Sequence, residues 1–307
     1  MSKVTTECTG GRKASRSRLY RIRMRGASFT FSMNPAPRQA PIILFLHGGP
    51  GDACIPATME YNAPLEEDFR LVNLDQRGAG LSYHPFARDE TVTIDSMLDD
   101  VLVFARRLLK AYGQDSLVVI GHSWGSVLGL EMVRRHPELV RQYIGLGQVV
   151  SMEKSLEVRN RYARNALPSW ARPLVGQEGA LADLVMLFHE GRSVGLARSL
   201  GSQLSYLRSP AYHPADLVHQ VLGVIQSEQR LGAELGRVDF SRFTSFQVPV
   251  TFMEGRHDWH IPSIIVEEYA ARLRSPHRLI WFEHSGHTPQ WSEPGRFNAL
   301  VREICLP

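Results

Sequence analysis

Residues 117–126 read Leu-Val-Val-Ile-Gly-His-Ser-Trp-Gly-Ser, and the fold turns on them. A short apolar run, Leu117 to Ile120, ends in Gly-x-Ser-x-Gly, and a helical pattern follows through Val127, Leu128, Leu130 and Met132 to His136. Strand, sharp turn and helix are the context of a nucleophile elbow. Such a turn is tight and holds its serine in a strained backbone conformation. A Cβ two residues before or after the serine would crowd the crossing of strand and helix, so Gly121 and Gly125 are the residue types that fit. The strain lifts the Ser123 hydroxyl above the sheet, beside a helix N-terminus that favours negative charge. Gly-x-Ser-x-Gly also occurs by chance, so the reading depends on what surrounds it.

Working outward, the pattern alternates strand and helix. Tyr20, Ile22 and Met24 fall on one face of a first strand from Arg18, Gly26 marks a turn, and Ser28 to Met33 completes a hairpin. Pro41 to Leu46 is a continuous apolar run, as in a strand buried on both faces. Arg70 to Leu74 is a further strand, Thr93 to Tyr112 a helix stopped by Gly113, and Val140 to Leu146 the strand after the elbow helix. From Ser151 to about Phe243 strand runs vanish and helical patterns dominate. Strands return at Val248 to Met253 and Arg278 to Phe282, with helices over Ser263 to Leu273 and Pro289 to Ile304. This order predicts an α/β fold: a mainly parallel sheet flanked by helices, with an α-helical cap inserted after the sixth strand. Residues 1–17 are expected to be a disordered basic tail, 18–150 and 244–307 a catalytic domain, and 151–243 the cap.

The chain has 307 residues, enough for one large α/β domain with an insertion or for two ordinary domains. Its hydrophobic content of 43% and charged content of 21% are those of a globular protein rather than a disordered one. Runs such as Ile42 to Leu46 are too short to span a bilayer, and no apolar signal-like core lies near the start. Cys8, Cys54 and Cys305 are scattered and odd in number, suggesting neither a disulfide framework nor a zinc site, so a reducing, cytoplasmic setting is expected. The net charge of +4 is unevenly placed: residues 1–25 carry eight Lys or Arg against Glu7, a net of +7 that leaves −3 for the rest. Such a segment suits a nucleic-acid or membrane surface, and its Arg and Ser content resembles a transit peptide. A solvated tail entering a strand with an arginine face explains it as well and is adopted, so neither nucleic acid nor membrane is expected as partner.

The loops after the strands carry the candidate chemistry. His47-Gly48-Gly49-Pro50-Gly51 follows a buried strand directly. A plain tight turn is the simple reading; glycines at this density also leave backbone N–H groups free to point at a ligand. The N–H groups of Gly49 and of Trp124, the residue after the serine, are expected to form an oxyanion hole. A serine hydroxyl needs a base within hydrogen-bond reach and a third group to fix the base's tautomer. Ser123, Asp258 and His287 each follow a strand, in the order nucleophile, acid, base. His257, His260 and His284 are rival bases or ligands, though their spacing matches no zinc motif, and Glu254 is a rival acid placed inside the strand. His122 is expected to pack beside the elbow. Asp75 and Arg77 either form a solvated turn or pair to brace the site. No metal and no cofactor are expected. A histidine base predicts activity that rises with pH near the free-histidine value of about 6.5.

Together His47-Gly-Gly-Pro-Gly51, Asp75-Gln-Arg-Gly78, Gly121-His-Ser-Trp-Gly125, Gly255-x-x-Asp258 and Gly286-His287 resemble the α/β-hydrolase superfamily, and within it the prolyl aminopeptidase (proline iminopeptidase) group of serine peptidases. The resemblance covers roughly residues 40–150 and 245–305. It implies a metal-independent release of an N-terminal residue, typically proline, from peptides through an acyl-enzyme. The family anchors the substrate's free amine with acidic residues in the cap and beside the catalytic acid. Here Trp259, not a glutamate, follows Asp258; Glu190 and Glu228 are the candidate anchors and Trp259 a candidate pocket wall. A carboxylic-ester or general small-molecule amide hydrolase, and a ligand-binding relative without catalysis, remain alternatives. Epoxide hydrolase or dehalogenase chemistry is disfavoured by a serine where those enzymes carry aspartate.

Overall fold

A computed structural model of the protein describes residues 14–170 and 201–306. Eight strands form one sheet: β1 (Arg18–Met24), β2 (Ala27–Met33), β3 (Ile42–Leu46), β4 (Arg70–Leu74), β5 (Leu117–His122), β6 (Val140–Leu146), β7 (Val250–Gly255) and β8 (His277–Phe282). Their order across the sheet is β1-β2-β4-β3-β5-β6-β7-β8. The hairpin β1–β2 and its junction with β4 are antiparallel; every pairing from β4 to β8 is parallel. The described helices are α1 (Ile55–Tyr61), α2 (Ile94–Tyr112), α3 (Trp124–Arg135), α4 (Met152–Ala166), α5 (Gly201–Arg208), α6 (Pro214–Leu235), α7 (Ser263–Ala270), α8 (Pro289–Ser292) and α9 (Pro294–Cys305). None is long and apolar enough to cross a membrane.

Side-chain alternation explains why the central strands read as unbroken apolar runs. Ile42, Leu44 and Leu46 of β3 join the core packed by α2, α3 and α7, while Ile43 and Phe45 join the core packed by α1 and α9. A parallel strand covered on both faces has no polar side. Helix α2 starts at Thr93, whose side chain accepts from the Ser96 N–H in a capping box, and stops at left-handed Gly113.

Three local expectations change. The last helix is two: Pro294 lacks an N–H and disfavours helical geometry at Glu293, which sits at φ −127° and ψ 56° between α8 and α9. Helix α1 had no counterpart in the sequence pattern. The end of the expected tail is seated rather than free: the Arg16 N–H donates to Glu66 at 2.7 Å, the Ser17 hydroxyl at 2.8 Å, and Ser15 also reaches this carboxylate.

Helices α4, α5 and α6 lie between β6 and β7, where the insertion was expected. Its two ends meet in a bridge of Ser151 and Asp239, with the Met152 N–H on the Val238 carbonyl and the Phe240 N–H on that of Val150. Helix α6 rests on the loops after β3 and β4: a Cβ at Gly223 would lie 2.7 Å from the Gly78 oxygen and 2.8 Å from that of Gly51. Asp75 and Arg77 do not pair with each other. Asp75 accepts from Tyr212 of the insertion and from the Leu81 N–H, while Arg77 reaches Asp100 of α2 at 2.7 and 2.8 Å and Glu90 at 3.0 Å. The two side chains, one on each side of Gln76, brace the loop through separate partners.

Asp100 holds two guanidiniums, those of Arg77 and Arg25, and its side chain is 3% exposed. Asp100→Ala is expected to destabilise the protein by about 3 kcal/mol, because Arg77 stays buried and loses its two bonds to Asp100, with only Glu90 left to pair it. Urea unfolding measures this; a change below about 0.5 kcal/mol would show that the pair contributes nothing net.

Candidate active site

Strand β5 enters the elbow and α3 leaves it. Ser123 sits at φ 52° and ψ −120°, one of two non-glycine residues with positive φ among those described. Close packing enforces this. A Cβ on Gly121 would lie 2.6 Å from the Gly125 oxygen, and one on Gly125 would lie 2.1 Å from the Leu46 oxygen at the end of β3. The Ser123 N–H donates to the Leu146 carbonyl at 2.8 Å, and its carbonyl accepts the Ser126 N–H at 2.8 Å. Helix α3 begins at Trp124, whose N–H belongs to the first turn and has no partner within the helix.

The glycine loop lies alongside. A Cβ on Gly48 would fall 3.3 Å from Ser123 Cβ and 3.1 Å from His122 Nδ1. Gly49 and Gly51 have φ of 117° and 84°, which only glycine adopts readily. The loop is held from below by a buried polar relay that sequence reading missed. His47 Nε2 accepts from the Gln76 N–H at 2.9 Å, so Nδ1 carries the proton and donates to the Gly48 carbonyl at 2.8 Å. Gln76 Nε2 donates to the His47 carbonyl at 3.1 Å, and its Oε1 accepts the Trp124 indole N–H at 2.8 Å. Burial pulls the His47 pKa down and keeps the ring neutral, as this relay requires. The only sequence signal was that His47 and Trp124 each precede a glycine and Gln76 lies two residues before one.

The other two candidates meet. His287 Nδ1 lies 2.8 Å from Asp258 Oδ2, while Asp258 Oδ1 accepts the N–H groups of His260 and Ile261, each at 2.9 Å. Their loops touch through the backbone, since the His257 N–H donates to the Ser285 carbonyl at 3.0 Å. The imidazole rests on Gly147, where a Cβ would lie 2.7 Å from its Cε1. His122 joins this pair to the elbow: its Nε2 is 3.0 Å from the His287 carbonyl, so it donates there, and the two rings are 4.8 Å apart. Residues 122 and 123 thus carry the tether and the serine side by side. Burial raises the Asp258 pKa to about 7 and lowers that of His287 to about 4. Both shifts favour neutral side chains, and the two groups titrate as one system.

The rivals separate. His284 is exposed, and His260 packs its ring edge-on against His287 at 4.7 Å. Among the described residues no three side chains gather as for a metal ion. Glu254 is fully buried, with Oε1 accepting the Gln148 N–H at 3.0 Å; burial and then the charge of Asp258 push its pKa well above the ordinary value. Trp259 stacks on Tyr162 of α4 at 3.8 Å and 12°, joining the acid loop to the insertion. Glu228 lies on the exposed face of α6, and no described contact ties it to Ser123, Asp258 or His287. Glu190 lies outside the described residues.

The chain is similar to several known proteins. A profile of the alpha/beta hydrolase fold matches residues 41–294. A probable aminopeptidase, YbaC of Bacillus subtilis (strain 168), is 31% identical over 280 residues, 85% of this chain and 88% of that protein. A proline iminopeptidase of Neisseria gonorrhoeae is 38% identical over 105 residues, 34% of this chain and 31% of that one. A putative carbamate hydrolase, RutD of Escherichia coli O44:H18 (strain 042 / EAEC), is 26% identical over 274 residues, 88% of this chain and 92% of that one. The crystal structure of a proline iminopeptidase-related protein from Thermus thermophilus superposes with a TM-score of 0.62 at 23% identity, over 94% of this chain and 96% of that one.

Gly125→Ala places a methyl group against two backbone oxygens, those of Leu46 and His47, which have no room to retreat. It is expected to cost about 3 kcal/mol or more. Gly232→Ala in α6, where nothing lies within 4 Å, is expected to be neutral or to stabilise by up to about 1 kcal/mol. Parallel denaturation of the two variants checks the contrast, and equal effects would refute the crowding argument.

Proposed function

The chain belongs to the α/β hydrolase family, and from that premise we propose that it is a serine hydrolase with Ser123 as nucleophile, His287 as base and Asp258 as orienting acid. The observation that carries this reading is the His287–Asp258 hydrogen bond of 2.8 Å, held against the elbow by His122. The Asp258 carboxylate fixes the Nδ1–H tautomer of His287 and leaves the Nε2 lone pair for the Ser123 proton. Serine Oγ adds to the carbonyl carbon, and His287 holds the proton until it passes to the departing amine or alcohol. Water then enters by the same route, and the acyl-enzyme is hydrolysed. The developing oxyanion is assigned to the N–H groups of Gly49 and Trp124; one such donor contributes on the order of 3 kcal/mol.

An aminopeptidase of prolyl aminopeptidase type is the preferred substrate class. Its support is the match over most of the chain to a probable aminopeptidase, together with the His-Gly-Gly-Pro-Gly loop. A hydrolase of carbamates, esters or other small amides is the second reading, favoured by the full-length similarity to a putative carbamate hydrolase. The exposed position of Glu228 weakens its candidacy as amine anchor. The Trp259–Tyr162 stack is assigned as one wall of the substrate pocket.

Ser123→Ala is expected to abolish both turnover and fluorophosphonate labelling; labelling that survives would overturn the serine mechanism. Prolyl-arylamide, its N-acetyl derivative and a simple aryl ester separate the substrate classes. Preference for the unblocked amide supports the aminopeptidase, and indifference to the acetyl group supports the second reading.

Protonation of the His287–Asp258 pair removes the base, so kcat/KM falls as pH falls. Burial moves the two groups toward about 4 and about 7. The acid limb is therefore expected between those values and a plateau above them, in a pH–rate profile on an uncharged substrate. A limb centred well above 7 would exclude this pair as the base system.

A further inference from the structure

The charge of the N-terminal hairpin has a site of its own. Alternation along β1 turns Met24 into the core and leaves Arg21 and Arg23 exposed, opposite Thr30 and Ser28 of β2. The turn to β2 is made by Arg25 and Gly26, both left-handed at φ 46° and 79°. That conformation strains an L-residue such as arginine. Arg25 is held there by ion pairs to Asp99 at 3.1 Å and Asp100 at 2.9 Å, and its carbonyl accepts from Arg77 at 3.2 Å.

These residues bound a cleft of about 750 Å³ between the hairpin and the 81–90 loop. Four arginines line it: Arg21, Arg23, Arg25 and Arg77, against a single lining carboxylate, Glu90. The floor is neutralised, because Arg77 is held by Asp100 and Glu90 and Arg25 by Asp99 and Asp100. Burial pushes Glu90 up, but hydrogen bonds from His84 and Arg77 outweigh it and keep its pKa below the ordinary value. Arg21 and Arg23 are different: neither has an ion pair among the described residues.

Charged edge strands often serve only to block pairing with another sheet. Guard residues for that purpose point into open solvent. Here the two unpaired guanidiniums face a concavity whose floor is fixed by two further arginines and whose lip is Tyr83, stacked on His219 of α6 at 4.8 Å and 13°. Two side chains on one face of a strand stand roughly 7 Å apart. Each guanidinium presents a planar fork that matches a phosphate group bidentately.

We propose that this cleft binds a phosphate-rich anion, gripped by Arg21 and Arg23 over the ion-paired floor of Arg25 and Arg77. A free polyphosphate group and an anionic lipid headgroup share this chemistry. The site is independent of the proposed hydrolase reaction: β1 is the sheet edge, four strands from the β5 that carries Ser123, about 19 Å away at the usual strand spacing.

Calorimetric titration of the full chain with pyrophosphate tests the free anion, and co-sedimentation with phosphatidylglycerol vesicles, against phosphatidylcholine alone, tests the headgroup. At least one probe is expected to bind, more weakly as salt rises from about 20 to about 200 mM. Arg21→Ala/Arg23→Ala is expected to weaken that binding about tenfold or more while leaving aryl-ester hydrolysis unchanged. Arg21→Lys/Arg23→Lys is expected to fall between, since it keeps the charges and loses the forks. Pyrophosphate binding without vesicle binding assigns a soluble ligand, and the reverse assigns a lipid headgroup. Binding of neither probe, or equal binding by the double alanine variant, overturns the proposal.

Discussion

The first turn of α3 rests directly on the last carbonyls of β3. No side chain fits between Gly125 and the Leu46 oxygen, where a Cβ would stand at 2.1 Å. This contact decides the conformation of the residue before it, because the chain must leave β5 and reverse into α3 with no room to widen the bend. Ser123 takes the strained φ of 52° as a result. The same contact sets the loop after β3 beside the serine, since that loop starts one residue beyond the carbonyl that Gly125 touches. Ser123 and the glycine loop are neighbours because two strands and a helix share one crowded crossing.

A second constraint keeps the glycine loop in place once it is there. Three separated sequence motifs are one hydrogen-bonded relay: His47 to Gln76 through two bonds, and Gln76 to Trp124 through a third. Each group is buried, so each unmade bond would leave a desolvated polar atom. The relay also explains why a tryptophan fits the position after the serine. Its indole N–H is the donor that completes Gln76, and its bulk is 1% exposed under the elbow. Asp75 and Arg77, on either side of Gln76, reach outward to the insertion and to α2. One short loop therefore ties the site to the insertion and to the helical layer at once.

The sequence made the sheet legible because burial on both faces leaves an unmistakable mark: Ile42 to Leu46 and Leu117 to Ile120 carry no polar residue. Ser123, Asp258 and His287 stood out as candidates because each follows a strand at a turn. What stayed hidden depends on partners distant in the chain. The pairing of Arg77 with Asp100 and Glu90, rather than with Asp75, follows from where α2 docks, and nothing in Asp75-Gln-Arg states that. His122 looked like a packing residue; its donation to the His287 carbonyl spans 165 residues. The break at Glu293 was readable from Pro294 and was missed. Whether Glu228 faces the site or solvent depends on how α6 packs, which the helical pattern does not state; it lies on the exposed face.

Glu254 and Asp258 stand four residues apart at the end of one strand, and only their surroundings distinguish them. Two buried carboxylates at close range do not both keep a charge. Asp258 accepts two backbone N–H groups on one oxygen and the imidazole N–H on the other. Glu254 accepts on Oε1, while its Oε2 is buried without a hydrogen-bond partner. Charge is favoured where the donors are, so of the two carboxyl groups Glu254 holds its proton more tightly and Asp258 gives its proton up first. That division matters for the imidazole beside them. In the proposed mechanism a single negative charge, aligned with Nδ1, would stabilise the protonated ring formed if Ser123 gives up its proton. A second charge nearby would hold that proton too strongly and oppose its transfer to a leaving group.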